Sequence, residues 1–596
     1  MAILLGSLQV RIARLEIEGF RSIKSLGIEI PKICALVGPN NAGKSNILEA
    51  IRRVLGFEFG PRTSNFTEDD VYLRDPEGDI EIRLTFDKPI EFRKLQKADP
   101  VGIDTLSFSW TRYKVTERKG QRRLEQSCLR NGKVPVVQTG WGKAGRGPVF
   151  EPVVGIPADV RDQIPFIHIG IDRSLKEQLP SARWSLLRRV FEDIDRGLNA
   201  STELLDVPSH DGSHPPVRRV DRFRELMREA MKLLRTKEFD TLEASIKKHA
   251  LEQLGMDDED GAIDLYFTPM DTMDFYKSLS LVVKESGFTT NAAEMGGGMQ
   301  NAIVLAVLRA FEETRRQGAI ILIEEPEMFL HPQMQRSLYS AIERLGETNQ
   351  VIYTTHSPHF VSIPDYRNVA LVRKKEAVGT TVVQSHLQAT ATRLEKLRQS
   401  IDSERGELFF AKRVLVVEGD TEKLVIPAFA RRIGVDLDAA GGTIVEAGGK
   451  RALIDFAELA ISFGIPTGII YDRDSKEITN KEEEGIYNAR LDGMASADGQ
   501  ARVWCLDPDY EQAIIAEMGE TKSREILDRY PPSIYGKGRA RRARMAATDS
   551  EMRAPPKLME AIRWLGAVKP KQPHEPKPMT PEDREWEAAA RGEGLG

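Results

Sequence analysis

The stretch that most constrains this chain is "GPNNAGKS", Gly38 to Ser45. It fits the pattern G-x-x-x-x-G-K-[ST] and lies between an apolar run, "ICALVG", and a helical pattern, "NILEAIRRVL". Glycines at these places let backbone N–H groups close around phosphate oxygens, and the start of the helix favours negative charge. Gly38, Asn40, Asn41 and Gly43 form the expected loop; Lys44 reaches the outer phosphates, and the Ser45 hydroxyl holds Mg²⁺. Ordinary residue frequencies give a chance match in a chain this long a probability of roughly a few per cent. The loop therefore predicts an α/β fold that binds ATP.

The other half of such a site lies far downstream. "AIILIEEPE" is a buried strand running into acids, with Glu324 placed to bind the Mg²⁺ shell and Glu325 to polarise the attacking water. "YTTHSP" sets His356 at the end of a further strand, where it suits a γ-phosphate sensor better than a structural histidine. Lys44 and Glu324 are 280 positions apart, too far for one compact phosphate-loop domain. In this the chain resembles the ABC-type ATPases, SMC and RecF-like proteins among them, which split the ATPase head around an inserted helical arm. The resemblance implies an N-terminal head part over 1–174, a helical, dimerising insertion over 175–285, and a C-terminal head part over 286–400 with the Walker B strand and the histidine switch. Within the insertion, "FRELMREAMKLL" puts Phe223, Leu226, Met227, Ala230, Leu233 and Leu234 on one helical face, and Trp184, Leu187, Phe191 and Ile194 share another. One departure stands out. The Leu-Ser-Gly-Gly-x-Gln signature reads "MGGGMQ" here, Met295 to Gln300, so Gly296 replaces the serine that would contact a partner head's nucleotide. ATP binding is expected; rapid hydrolysis across a dimer is not.

Length and composition set the frame. A chain of 596 residues exceeds one core and suggests about three or four domains. With 41% hydrophobic and 29% charged residues it reads as an ordinary soluble protein. The apolar start "MAILLGSLQV" is too short to span a bilayer and lacks a basic lead, and three scattered cysteines argue against a disulfide framework and against a zinc ribbon. A cytoplasmic protein is the expectation. The net charge of −5 leaves no global footprint of a nucleic-acid binder. A local basic run, "GKGRARRAR" (536–544), is either a solvated face or a source of phosphate contacts. The proline-rich, charged end over 568–596 reads as a disordered tail.

A second constellation begins at "VLVVEGDTEKL" (414–424), where Glu418 ends a strand and Glu422 falls in the first turn of a helix. Alone, this is compatible with a helix start capped by Asp420 or Thr421, with Glu422 complementing the dipole. Two further strands repeat the pattern. "IPTGIIYDRD" ends in Asp472 and Asp474, whose spacing puts both carboxylates on one face of an extended segment. "ARVWCLDPDYEQAI" ends in Asp509 and Glu511 with the same spacing. Three strand ends thus supply six carboxylates, and ligands of α/β sheets gather at such ends. Without a cation they would repel one another; hard oxygen donors suit Mg²⁺ or Mn²⁺, and two such ions can cleave a phosphodiester.

This arrangement resembles a Toprim domain, expected here over 408–567. An ABC-type head followed by Toprim is similar to the OLD (overcoming lysogenization defect) family of ATP-binding endonucleases, which includes the nuclease subunit of Gabija anti-phage systems. The likeness rests on "IEGFRSI", "LVGPNNAGKS", "ILIEEPEMFLHP", "YTTHSP", "FFAKRVLVVEGDTE" and "YDRD". It implies one metal on Glu418, Asp472 and Asp474 and another on Glu422, Asp509 and Glu511. It also implies a downstream lysine that stabilises transition-state charge, Lys557 in "APPKLMEAI" with Lys537 as the rival. DNA as substrate, a homodimer or larger homo-oligomer, and a helicase-like partner subunit follow from the same likeness. A RecF-like clamp that binds DNA without cutting is the alternative; it leaves the six carboxylates idle. A topoisomerase would need a DNA-gate domain with a nucleophilic tyrosine, and a bacterial-type primase usually a zinc module.

Overall fold

The computed structural model describes residues 10–56, 66–114, 119–142, 147–170, 186–205, 216–254, 271–285, 288–297, 299–300, 303–304, 306–307, 310, 318–328, 330–361, 366–387, 403–474, 481–497, 499–531 and 539–567. The chain divides into two compact units, Met1–His386 and Leu387–Gly596. No described helix is long and apolar enough to cross a membrane.

The first unit is built on an 11-stranded sheet. Its strands are β1 (Ile12–Phe20), β2 (Ile23–Glu29), β3 (Ile33–Val37), β4 (Ile80–Phe92), β5 (Val101–Arg112), β6 (Arg122–Leu129), β7 (Phe166–Ile169), β8 (Ile320–Ile323), β9 (Gln350–Thr355), β10 (Val369–Lys375) and β11 (Gly379–Gln384). The order across the sheet is β6-β5-β4-β1-β2-β11-β10-β3-β9-β8-β7. From β10 to β7 the neighbours run parallel. There β3, β8 and β9 are almost wholly buried, so their residues form unbroken apolar runs rather than an alternation. The other wing is antiparallel, and β5 and β6 carry no apolar run strong enough to stand out in the sequence. Helix α1 (Lys44–Leu55) follows β3 and buries Ile47, Leu48, Ile51 and Val54.

Because β3, β9 and β8 are parallel neighbours, the end of β3 and the end of β8 come to the same edge of the sheet. That is how Lys44 and Glu324 share a site across their long separation.

The insertion contains α2 (Leu186–Ala200), α3 (Arg219–Leu233) and α4 (Lys237–Leu254). Phe191 stacks on Tyr276 with ring centroids 4.9 Å apart, and Phe223 meets Phe275 edge-on at 5.1 Å. The helical period is as the sequence predicts, but among the described residues the apolar face of α3 is only partly covered. Leu226, Leu233 and Leu234 are 44%, 82% and 59% exposed. Trp184, Lys537 and the 568–596 tail lie outside the described residues. Helix α5 (Pro332–Thr348) links β8 to β9.

The second unit is a four-stranded parallel sheet of β12 (Arg413–Val417), β13 (Gly442–Glu446), β14 (Thr467–Asp472) and β15 (Ala501–Leu506), ordered β13-β12-β14-β15. Its helices include α6 (Asp420–Arg432), α7 (Lys450–Ser462), α8 (Lys481–Asp492), α9 (Tyr510–Met518), α10 (Arg539–Thr548) and α11 (Pro556–Gly566). Leu415, Val417, Ile470 and Trp504 from the sheet pack with Val425, Ile426 and Phe429 of α6 in its core.

Three local expectations are corrected here. Strand β14 ends at Asp472, and Asp474 has φ +51°, so the two aspartates do not share one face of an extended segment. Strand β15 ends at Leu506; Asp509 is the N-cap of α9, and Glu511 lies in that helix's first turn rather than at a strand end. The N-cap of α6 is Gly419, and neither Asp420 nor Thr421 holds that position.

Candidate nucleotide and carboxylate sites

The loop between β3 and α1 is fixed by its glycines. A Cβ on Gly38 would stand 2.1 Å from the Val372 carbonyl oxygen of β10. Gly43 has φ +106°, and a Cβ there would meet Thr380 Oγ1 at 2.2 Å. That hydroxyl donates to the Ala42 carbonyl at 2.9 Å and lies 2.7 Å from Ser22 Oγ, tying the loop to β11. Asn40, Asn41 and Ser45 face outward. Lys44 is buried and turns back on its own loop, its Nζ donating to the carbonyls of Gly38 at 2.7 Å and Pro39 at 3.1 Å. Burial pulls this ammonium below its ordinary pKa, against the opposing pull of Glu325 and Glu327.

At the end of β8, Glu324 meets a partner that sequence reasoning missed. His168 on the edge strand β7 brings Nε2 to 3.0 Å from Glu324 Oε1. Parallel pairing of Ile323 with Ile169 sets the two side by side, although they are 156 positions apart. A lone histidine in "FIHIG" carries no sequence signal of that contact. Glu325 has φ +42°, and its N–H donates to the carbonyl and the hydroxyl of Thr354. Glu327, also unassigned from sequence, is buried beneath His356. Its Oε1 accepts from Thr355 Oγ1 at 2.8 Å and from the His356 N–H at 2.7 Å, and lies 3.3 Å from His356 Nδ1. Glu325 Oε2 is 3.7 Å from the same nitrogen. The structure thus gathers Lys44, Glu325, Glu327 and His356, with Glu324 at the same edge. The signature segment is turned by Gln300, whose amide donates to the carbonyls of Ala293 and Met295, and Gly296 faces open space.

In the second unit Glu418 and Asp472 follow and end the adjacent strands β12 and β14. Glu418 Oε2 accepts from the Asp472 N–H at 3.2 Å. Asp472 Oδ1 is buried with no hydrogen-bond partner. Burial raises Glu418 to about 7, with Lys450 opposing the rise. Burial also raises Asp472 to about 8, reinforced by the charges of Glu422, Glu418 and Asp474. Glu422 is raised too, first by burial and further by Glu511. These acids sense one another electrostatically, which is the signature of a shared site.

Among the described residues no group of three or more His, Cys, Asp or Glu side chains is gathered tightly enough to hold a metal ion. The partners of the acids explain why. Glu422 reaches back to the Gly419 N–H at 3.2 Å, and Asp509 caps α9 through the Gln512 N–H at 2.7 Å. Glu511 pairs with Arg539 at 2.6 Å, and Asp474 pairs with Lys450 at 2.8 Å. Each spends an oxygen inside the protein; Asp472 Oδ1 alone of these atoms is buried and unspent. All six donors are hard oxygens, so the set fits a divalent cation such as Mg²⁺ or Mn²⁺. Lys557 is held elsewhere, its Nζ donating to the Cys505 carbonyl of β15 at 2.8 Å.

Both units have counterparts among known proteins. A model described as AAA ATPase domain matches residues 11–128 and 165–361. A second, described as the TOPRIM domain of overcoming lysogenization defect protein-like proteins, matches 409–474. Across most of its length the chain is similar to the OLD nuclease of Thermus scotoductus, at 28% identity over 84% of this chain and 91% of that protein. It is also similar to the Old nuclease of Escherichia phage P2, at 26% identity over 82% and 81%. Endonuclease GajA of Bacillus cereus matches at 21% identity over 80% and 77%.

Proposed function

This chain belongs to the AAA ATPase domain family, and on that premise, with an OLD-like TOPRIM domain following the ATPase, we propose that it is an ATP-binding, divalent-metal-dependent DNA endonuclease acting in defence against phage or other foreign DNA. The observation that carries the reading is Asp472 Oδ1, a buried carboxylate oxygen without a partner beside Glu418 at the ends of adjacent parallel strands. Leaving such an atom unsatisfied costs about 1–3 kcal/mol or more, a cost that a bound cation would offset.

In this reading Glu418, Asp472 and Asp474 serve one Mg²⁺ or Mn²⁺, and Glu422, Asp509 and Glu511 a second. Divalent ions bound there supply an activated water and stabilise the leaving oxygen of a phosphodiester. The chain's own part is to hold the acids: β12 and β14 fix Glu418 and Asp472, the first turns of α6 and α9 present Glu422 and Glu511, and Asp509 caps α9. Lys557 contributes positive charge from beside β15. In the ATPase unit, Lys44 and the Gly38–Ser45 loop take the phosphates of ATP, Ser45 and Glu324 serve its Mg²⁺, Glu325 orients water, and His356 senses the outer phosphate.

Leu226 and Leu233, exposed on α3 among the described residues, support association of the insertion into a homodimer or larger assembly. We further propose a helicase-like partner subunit and a cytoplasmic location for this chain.

The test is cleavage of supercoiled plasmid by purified protein with Mg²⁺ or Mn²⁺, with and without ATP, beside the Asp472→Ala protein. Metal-dependent cutting is expected in the wild type, with a loss of about 100-fold or more in the variant. Equal cutting by both would sink the reading; binding without cutting by wild type would leave a DNA clamp in its place.

A further inference from the structure

Lys450 is missing from every motif that the sequence brings to notice, yet it pairs directly with Asp474 of the carboxylate site. Its side chain is only 3% exposed. Burying an ammonium is costly unless it is paired and hydrogen-bonded. Here it is paired twice, with Nζ 2.8 Å from Asp474 Oδ2 and 2.8 Å from Glu484 Oε2.

The turn that carries it grips the site from a second direction. Gly448 and Gly449, both at positive φ, each donate a backbone N–H to the Glu418 carbonyl at 3.1 Å. A single turn after β13 therefore holds Glu418 by its backbone and Asp474 by its side chain. Those two acids follow different strands, β12 and β14, and β13 is a neighbour of β12 only. Asp474, which leaves the strand at φ +51°, has its Oδ2 position set by this lysine.

We propose that Lys450 is the positioning residue of the carboxylate site: an internal cation that fixes Asp474 and lowers the mutual repulsion of Glu418, Asp472 and Asp474, so that they accept a divalent ion together. Glu484 is the outer anchor that holds the ammonium in place. The inference rests on the metal reading proposed above. It assigns Lys450 a role distinct from that of Lys557, which binds a backbone carbonyl and touches none of the six acids through a hydrogen bond or ion pair.

The experiment uses the full chain as wild type, Lys450→Met, Lys450→Gln and Glu484→Gln. Mn²⁺ binding is followed by calorimetric titration without DNA, plasmid cleavage is followed over a Mn²⁺ series, and ATP binding and thermal melting report on folding. Removing a group that orients metal ligands typically costs about 10–100-fold in metal affinity, and at least about tenfold is expected for Lys450→Met. Its cleavage should recover in part at high Mn²⁺, as lost affinity rather than lost chemistry requires. Glu484→Gln keeps the Lys450–Asp474 pair and should stay within about threefold of wild type. Lys450→Gln, which keeps a donor near Asp474, is the second variant should the methionine protein not fold; a loss of about three- to tenfold is expected.

Wild-type Mn²⁺ affinity in a folded Lys450 variant overturns the proposal. An equal loss in Glu484→Gln, with melting lowered alike in both, also overturns it, since the lysine would then be a packing bridge between α7 and α8. A wild type that takes up no Mn²⁺ overturns the metal reading itself, and this inference with it.

Discussion

Two buried lysines occupy equivalent places in the two units and are put to opposite use. Lys44 and Lys450 are each the first residue of a helix, each follows a glycine at positive φ, and each helix follows a strand of a parallel sheet. Lys44 turns onto two neutral carbonyls of its own loop. Lys450 turns onto two carboxylates. Burial lowers the first ammonium below its ordinary value. Burial acts on the second as well, but the bonds to Asp474 and Glu484 outweigh it and hold Lys450 above its ordinary value. A lysine on carbonyls keeps its charge uncompensated for an arriving phosphate. A lysine on carboxylates has already spent its charge, and what remains around it is negative. On the proposed reading, the first site receives an anion and the second a cation, from the same strand–turn–helix element.

The sharpest way to break that comparison is Lys44→Ala. Losing a charged phosphate contact in a buried site is expected to weaken ATP binding by about 100-fold, read by titration with a fluorescent ATP analogue. Mn²⁺ binding by the carboxylate site should be unchanged, the reverse of the pattern expected for Lys450→Met. If Lys44→Ala left ATP affinity intact, the contrast between the two lysines would have no functional content.

A smaller, graded effect follows from the raised acids. Glu418 lies at about 7 and Asp472 at about 8, so without metal the pair binds protons in the folded state that it has released in the unfolded one. A native state that binds more protons loses stability as pH rises, here through the window from the ordinary carboxylate range up to about 8. Metal-free protein should therefore melt at a lower temperature at pH 8 than at pH 6, and saturating Mn²⁺ should reduce or reverse that slope. Apparent Mn²⁺ affinity should rise with pH over the same window, by up to about tenfold per pH unit for each proton displaced. Melting that is flat in pH without metal, in wild type and in Asp472→Asn alike, would remove the electrostatic half of the comparison.

How much of each site can be read in the sequence follows from the same contrast. The phosphate loop is legible because its function is local: one turn, a few required glycines and a fully buried strand on either side of the Lys44–Glu324 gap. The carboxylate site is legible only in part. Glu418, Glu422 and Asp472 sit next to plain apolar strands, so the strands announce them. Asp474, Asp509 and Glu511 are equally visible as acids, but the extended geometry expected for them is wrong, because β14 and β15 stop before it can apply. Lys450, His168 and Glu327 are not legible at all. Each acts through a partner on another element, at separations of 24, 156 and 29 positions for Asp474, Glu324 and the His356 N–H. Nothing in "AGGKRAL" or "FIHIG" states that partner.

The smallest expected effect concerns a third cation, Arg539, and the basic run whose meaning the sequence left open. Alanines 543, 546 and 547 bury one face of α10, which leaves Arg539, Arg541 and Arg544 outward. Arg539 pairs with Glu511 at 2.6 Å, but its side chain is 75% exposed, and exposed pairs contribute about 0–1 kcal/mol. Arg539→Ala should therefore leave melting nearly unchanged. It frees Glu511, so Mn²⁺ affinity should hold or rise slightly. If α10 also follows a DNA backbone, the variant should bind duplex DNA about two- to threefold more weakly near 0.1 M salt, and its salt dependence should flatten by about one phosphate contact. Fluorescence anisotropy across a salt series separates the two roles. A flatter slope assigns α10 to the substrate; an unchanged slope with tighter Mn²⁺ binding makes Arg539 a competitor for Glu511, the opposite of the part proposed for Lys450 at Asp474.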